Sequence, residues 1–219
     1  MRLLLFLVAV VCLACGGAWL HLRRRSRLRA ERAGLFRDVR GLFTDVTVVQ
    51  DDVDFPVLRG TRHGYRWLLR PVVDSLSFRT LPTLWLCLTC QADLEVPAPV
   101  SVLLRPSGNE FYSANGGYPH ELPLPDGCPA YARAASPDAR GADVPLGPVG
   151  ALLGEAETKE VAVAQGGVRV VRRVSTADPG RYRVGRRIDL GTPVLTPDDV
   201  LAVLTRMAAT ARSLQEVPR

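Results

Sequence analysis

Glu160-Val-Ala-Val-Ala-Gln-Gly-Gly-Val-Arg-Val-Val-Arg-Arg-Val174 holds two β-branched runs, Glu160 to Ala164 and Val168 to Val174, on either side of Gln165-Gly166-Gly167. Val161 and Val163, like Val168 and Val170, alternate with polar or small residues, so in an extended chain they share one face that can be buried. The glycine pair can take the positive φ that a tight reversal needs. The stretch predicts a β-hairpin, and a hairpin with one apolar face requires a larger sheet and a second layer to cover it.

Downstream of the hairpin, Asp178-Pro179-Gly180 reads as a turn and Arg181 to Ile188 as a further strand. Thr196 then stands as a helix cap, with Pro197 at the first helical position and Asp198 and Asp199 at the positive end of the dipole. Val200, Leu201, Val203, Leu204, Met207, Ala208, Ala211 and Leu214 form the apolar stripe of that helix.

Upstream, Thr44 to Gln50, His63 to Val73, Leu81 to Gln91 and Val100 to Leu104 are apolar enough for strands, with Trp67 and Trp85 as core candidates. A short helix is expected around Val149 to Glu157. Between Pro106 and Gly150, fifteen of 45 residues are Pro or Gly, which excludes a continuous helix or a central strand. A long loop of this kind is a natural binding surface, and Tyr112, Asn115, Tyr118, His120 and Glu121 are its candidate contact residues. The alternative is an ordered covering loop whose aromatics pack.

At the other end of the chain, Leu3 to Leu20 carry no charge, and Arg23, Arg24, Arg25, Arg27 and Arg29 follow. An eighteen-residue helix spans about 27 Å, close to the roughly 30 Å hydrocarbon core of a bilayer. Residues 1–22 therefore read as a single transmembrane anchor, 23–43 as a basic juxtamembrane helix that docks through Leu28, Leu35, Phe36, Val39, Leu42 and Phe43, and 44–219 as one domain. The fold class expected is α+β, with a mainly antiparallel sheet and a C-terminal amphipathic helix after the membrane helix.

Residues 1–43 contain nine Arg against Glu31 and Asp38, whereas residues 44–219 hold 19 basic and 20 acidic side chains. The basicity is juxtamembrane, so the pI of 9.4 does not imply nucleic acid, and no nucleic-acid partner is expected. Arginines behind the apolar segment keep that flank, and the domain with it, in the cytoplasm. A cleaved signal peptide, or a lipoprotein attached at Cys15, would instead export the domain. Lys159 is the one lysine beside 27 arginines, which points to codon bias in a GC-rich, bacterial genome.

Cys87 and Cys90 spell C-x-x-C inside a strand, where side chains three apart take opposite faces, so they read as structural thiols. The acidic turn Asp51-Asp52-Val53-Asp54 lacks the complementary ligands of a calcium loop. A P-loop, a dinucleotide-binding glycine fingerprint, H-E-x-x-H and G-x-S-x-G are absent, and no metal or cofactor is expected. Cys128 with His120 is the one nucleophile and base pair that the loop region offers. The functional expectation is a membrane-anchored, protein-binding module contacting the bilayer through residues 3–22. An enzyme with its site at 106–150, or an exported binding domain, is the alternative, and a small-molecule ligand is undetermined.

Overall fold

The computed structural model describes residues 1–75, 81–108, 110–185 and 188–216, without the side chains of residues 2–5 and 8–9. Helix α1 (Arg2–Ala33) leads into strands β1 (Thr44–Val49), β2 (Val57–Arg62), β3 (Tyr65–Asp74), β4 (Thr83–Gln91) and β5 (Val100–Leu104). Strands β6 (His120–Leu122) and β7 (Ala132–Ser136), helix α2 (Gly150–Leu153), strands β8 (Thr158–Ala164) and β9 (Gly167–Thr176), and helices α3 (Pro179–Gly185) and α4 (Pro197–Gln215) complete the chain. The strands form one antiparallel sheet in the order β1-β2-β3-β4-β9-β8-β5-β7-β6.

The hairpin forms where its sequence places it. Val161 pairs with Val170, Val163 with Val168 and Ala164 with Gly167, leaving Gln165 and Gly166 as the reversal. Of the glycine pair, Gly167 alone has positive φ, at +128°. A Cβ there would lie 2.0 Å from the Cys90 carbonyl oxygen, so glycine is needed for the approach of β4 as much as for the turn. The hairpin enters the middle of the sheet. Strand β9 pairs with β4 and β8 with β5, which joins the meander β1–β4 to the block β5-β7-β6.

One face of the sheet is the core. Leu58, Trp67, Leu69, Leu86, Leu88, Val161, Val163, Val168 and Val170 pack in one cluster with Val200, Val203, Leu204, Met207 and Leu214 of α4. Each such aliphatic side chain contributes about 1.5–3 kcal/mol by leaving water. Helix α4 begins as expected, with the Asp199 N–H donating to Thr196 Oγ1 at 3.3 Å. Cys90 joins this core while Cys87 lies on the opposite face beside Tyr112 and Val171.

Four expectations change. Arg181 to Ile188 is not a strand: Pro179–Gly185 is helix α3, and residues 186–187 lie outside the described residues. Its start mirrors that of α4, because the Asp178 side chain accepts from the Arg181 N–H at 2.7 Å and Pro179 follows the cap. Strand β2 was hidden by Gly60 and its flanking arginines. Gly60 is required there, since a Cβ would meet the Phe43 Cβ at 2.8 Å. The juxtamembrane helix does not continue to residue 43; α1 ends at Ala33, and two 3₁₀ turns, Gly34–Phe36 and Arg40–Leu42, carry Leu35, Phe36, Val39 and Phe43 into the core.

The fourth concerns the membrane. Among the described residues no helix is long and apolar enough to cross one. The span expected at residues 3–22 rests in part on Leu3, Leu4, Leu5, Val8 and Ala9, whose side chains lie outside the described residues.

Candidate functional site

Polar side chains converge on the other face of the sheet, above β5, β8 and β9. Pairing between β8 and β9 slips between Thr158 and Glu160, placing Lys159 in a bulge, and both charged neighbours are interior: Lys159 is 8% exposed and Glu160 0%. Buried charge on this scale demands partners. The segment from Arg105 to Tyr118 supplies several of them by folding back across the strands.

Glu160 Oε1 accepts from Ser101 Oγ at 2.7 Å and from Ser113 Oγ at 2.6 Å, and Oε2 accepts from Arg169 Nη2 at 3.0 Å. Asn115, also 0% exposed, donates through Nδ2 to the Ser101 carbonyl at 2.9 Å and to Ser101 Oγ at 3.1 Å. Arg133 donates to Asn115 Oδ1 at 2.9 Å and to the Tyr118 carbonyl at 2.9 Å. Lys159 Nζ donates to the Arg105 carbonyl at 2.5 Å and pairs with Glu110 Oε1 at 2.9 Å. Burial alone would raise the Glu110 carboxyl; hydrogen bonds from Lys159 and from the Ser107 hydroxyl and N–H, with the lysine's charge, outweigh it and bring the group down to about 2.

Tyr112 closes the same segment. It is 7% exposed and packs with Cys87, Val171, Val72 and Trp85, its ring centroid 5.5 Å from that of Trp85. Burial, reinforced by Glu110, Asp74, Glu160 and Cys87, pushes its phenol upward, so it stays neutral. Cys87 is pushed up by burial against the opposing pull of Arg169 and Arg70, and Cys90 by burial to about 12. Neither is a ready thiolate. Glu160 is held in place by three donors on its two oxygens.

The five loop candidates therefore occupy two environments. Tyr112 and Asn115 are interior, while His120 and Glu121 are exposed on edge strand β6 and Tyr118 is half-buried beside them. His120 acts electrostatically on Asp138, whose carboxyl is held at about 2 chiefly by hydrogen bonds from the Arg140 side chain and N–H. Cys128 packs against the core, and burial raises its thiol. Among the described residues no group of three His, Cys, Asp or Glu side chains converges as metal ligands would.

Arg23, Arg24, Arg25, Arg27 and Arg29 are exposed along α1. Arg25 pairs with Asp52, whose carboxyl that hydrogen bond lowers, and the Arg29 carbonyl accepts from Gln50 Nε2 at 3.0 Å. Arg32 donates to the Val53 carbonyl at 2.8 Å and stacks over Phe55 at 4.7 Å. The acidic turn between β1 and β2 is thus the seat of α1. No family model, no curated protein and no solved structure matches this chain.

Proposed function

We propose that the protein is a single-pass, membrane-anchored interaction module whose α+β domain binds another protein at the cytoplasmic face of the bilayer. The observation that carries this reading is the fastening of α1: the arginine-rich end of one 32-residue helix is tied to the domain at Asp52, Val53, Gln50 and Phe55. A helix with an uncharged leader at residues 3–20 would enter the hydrocarbon there, while the arginines meet anionic headgroups at about 1 kcal/mol each. With the domain fixed to the helix by several contacts, its orientation to the membrane is set, which suits recognition of a partner confined to the same surface.

Alkaline carbonate extraction of membranes, combined with a reporter fused after Arg219, tests the reading. The chain should stay with the bilayer and the reporter should be active in the cytoplasm. A mature chain beginning downstream of Gly16 and released by carbonate, or a reporter active only outside, would replace the anchor with an export signal.

A further inference from the structure

Beyond the segment Arg105–Tyr118, the outer face of the sheet carries a ring of arginines. The register aligns Arg59 with Leu68, Leu68 with Thr89, and Thr89 with Arg169, across β2, β3, β4 and β9. Arg66 and Arg70 lie two residues either side of Leu68 on β3. The alternate residues Leu58, Trp67, Leu69, Leu88, Val168 and Val170 are buried in the core, so this set faces outward. Three strand spacings separate Arg59 from Arg169, about 14 Å, and four residues separate Arg66 from Arg70, about 13 Å. Leu68 and Thr89, both half-buried, occupy the centre.

Three of the ring's four arginines, Arg59, Arg66 and Arg70, are exposed and have no ion-pair partner among the described residues. Arg169 uses one nitrogen on Glu160 and keeps its side chain 30% exposed. Glu160 is sealed, Asp74 is 9% exposed at the end of β3, and Asp93 lies beside Arg66 at one rim. A domain of near-zero net charge thus concentrates positive charge on one bare quarter of its sheet.

We propose that this quarter is a docking surface for an acidic protein segment, one that carries carboxylates around an apolar side chain seated on Leu68. This deepens the interaction-module reading by naming the site and the partner's chemistry. Guanidinium groups match carboxylates in bidentate geometry. The patch is compact, about 14 Å across, with an aliphatic centre and no exposed aromatic ring among its members, which suits a protein side chain better than a stacked base or a phosphate track.

The test uses the full chain in neutral detergent and a fluorescent Glu-Glu-Leu-Glu-Glu peptide, with a Gly-centred peptide beside it. Substituting Arg59→Gln, Arg66→Gln and Arg70→Gln together should weaken binding about tenfold, while Arg23→Gln, Arg24→Gln and Arg27→Gln together should leave it unchanged. Leu68→Ser should weaken the Leu peptide and spare the Gly peptide. A photo-crosslinker replacing Thr89 should capture the peptide, and one replacing Thr205 on the exposed side of α4 should not. Equal losses from the two arginine triples, capture at both positions, or displacement of the peptide by single-stranded DNA or anionic vesicles at matched charge would overturn the assignment. Topology is not read by this experiment, so failure of the anchor reading remains distinguishable from failure here.

Discussion

The two halves of the sheet's outer face solve the problem of charge in opposite ways. Above β5 and β8, consecutive residues Lys159 and Glu160 are withdrawn from water and matched by Glu110, Arg169, Ser101 and Ser113. Above β2 and β3, Arg59, Arg66 and Arg70 stay exposed, with no ion pair among the described residues. Strand chemistry is similar in both places, since each half shows the same core to α4 or its neighbours and the same alternation outward. The difference lies in whether a later segment of chain returns across the strands. Where one does, its side chains must supply the hydrogen bonds that water gave up, and those bonds then hold the cover in place.

The sharpest way to break this comparison is at Glu160. Replacing it with Ala strands Arg169 and leaves one buried and one half-buried hydroxyl, Ser101 and Ser113, without their acceptor, a loss of about 3–5 kcal/mol, whereas Arg66→Ala on the bare half should cost less than about 0.5 kcal/mol. Urea unfolding followed by tryptophan fluorescence measures both. Similar values for the two substitutions would mean that cover 105–118 is not fastened through Glu160.

Tyr112→Ala attacks the cover from its apolar side. The ring fills the space over Cys87 and Val171, so truncation should cost about 2–4 kcal/mol and should open the Cys87 thiol to alkylation. Labelling of the folded protein, mapped by mass spectrometry, separates this from general loosening, because Cys90 lies in the core on the opposite face and should stay protected.

Acid probes the same fastening more gently. The Glu110 carboxyl, at about 2 in the folded chain against an ordinary 4.5, binds its proton less readily when folded. Its contribution is therefore fully present above about pH 4.5 and is lost as pH falls through that window toward about 2. Glu110→Gln should lower stability at pH 7 by about 1–3 kcal/mol and flatten the acid slope by its share. An unchanged slope in the variant would assign the acid sensitivity to other carboxylates such as Asp138 and Glu157, which are also held low.

How much of this was legible in the sequence follows from what is local. The hairpin, β5 and α4 are written in neighbouring residues: alternating valines, a capping threonine, a proline at the first helical turn. The α3 segment reads as a turn and a strand because Asp178-Pro179 opens a turn and a helix with the same two residues. The sheet order is non-local, as Gln91 and Gly167 become partners across more than seventy positions. Glu160 was hidden for the same reason. At the end of an alternating strand it looks like an ordinary solvent-facing residue, and only the returning segment makes it interior. One signal was available: where 27 arginines serve elsewhere, the single lysine sits in the bulge of β8, where its compact head fits between Arg105 and Glu110.

On the bare half the expected effect is smallest, and that is its diagnostic value. Arg59, Arg66 and Arg70 are exposed with no ion pair among the described residues, so replacing all three with Gln removes mutual repulsion and breaks no such pair. The melting temperature should hold steady or rise slightly, with less than about 0.5 kcal/mol of change per site. A triple variant that unfolds early would show these side chains holding the sheet together through their aliphatic stems, and the ring would then belong to the architecture. A variant that is equally stable and fails to bind the acidic peptide keeps the two halves distinct, because the sheet would be using paired charge to build one half and unpaired charge to recognise a partner on the other.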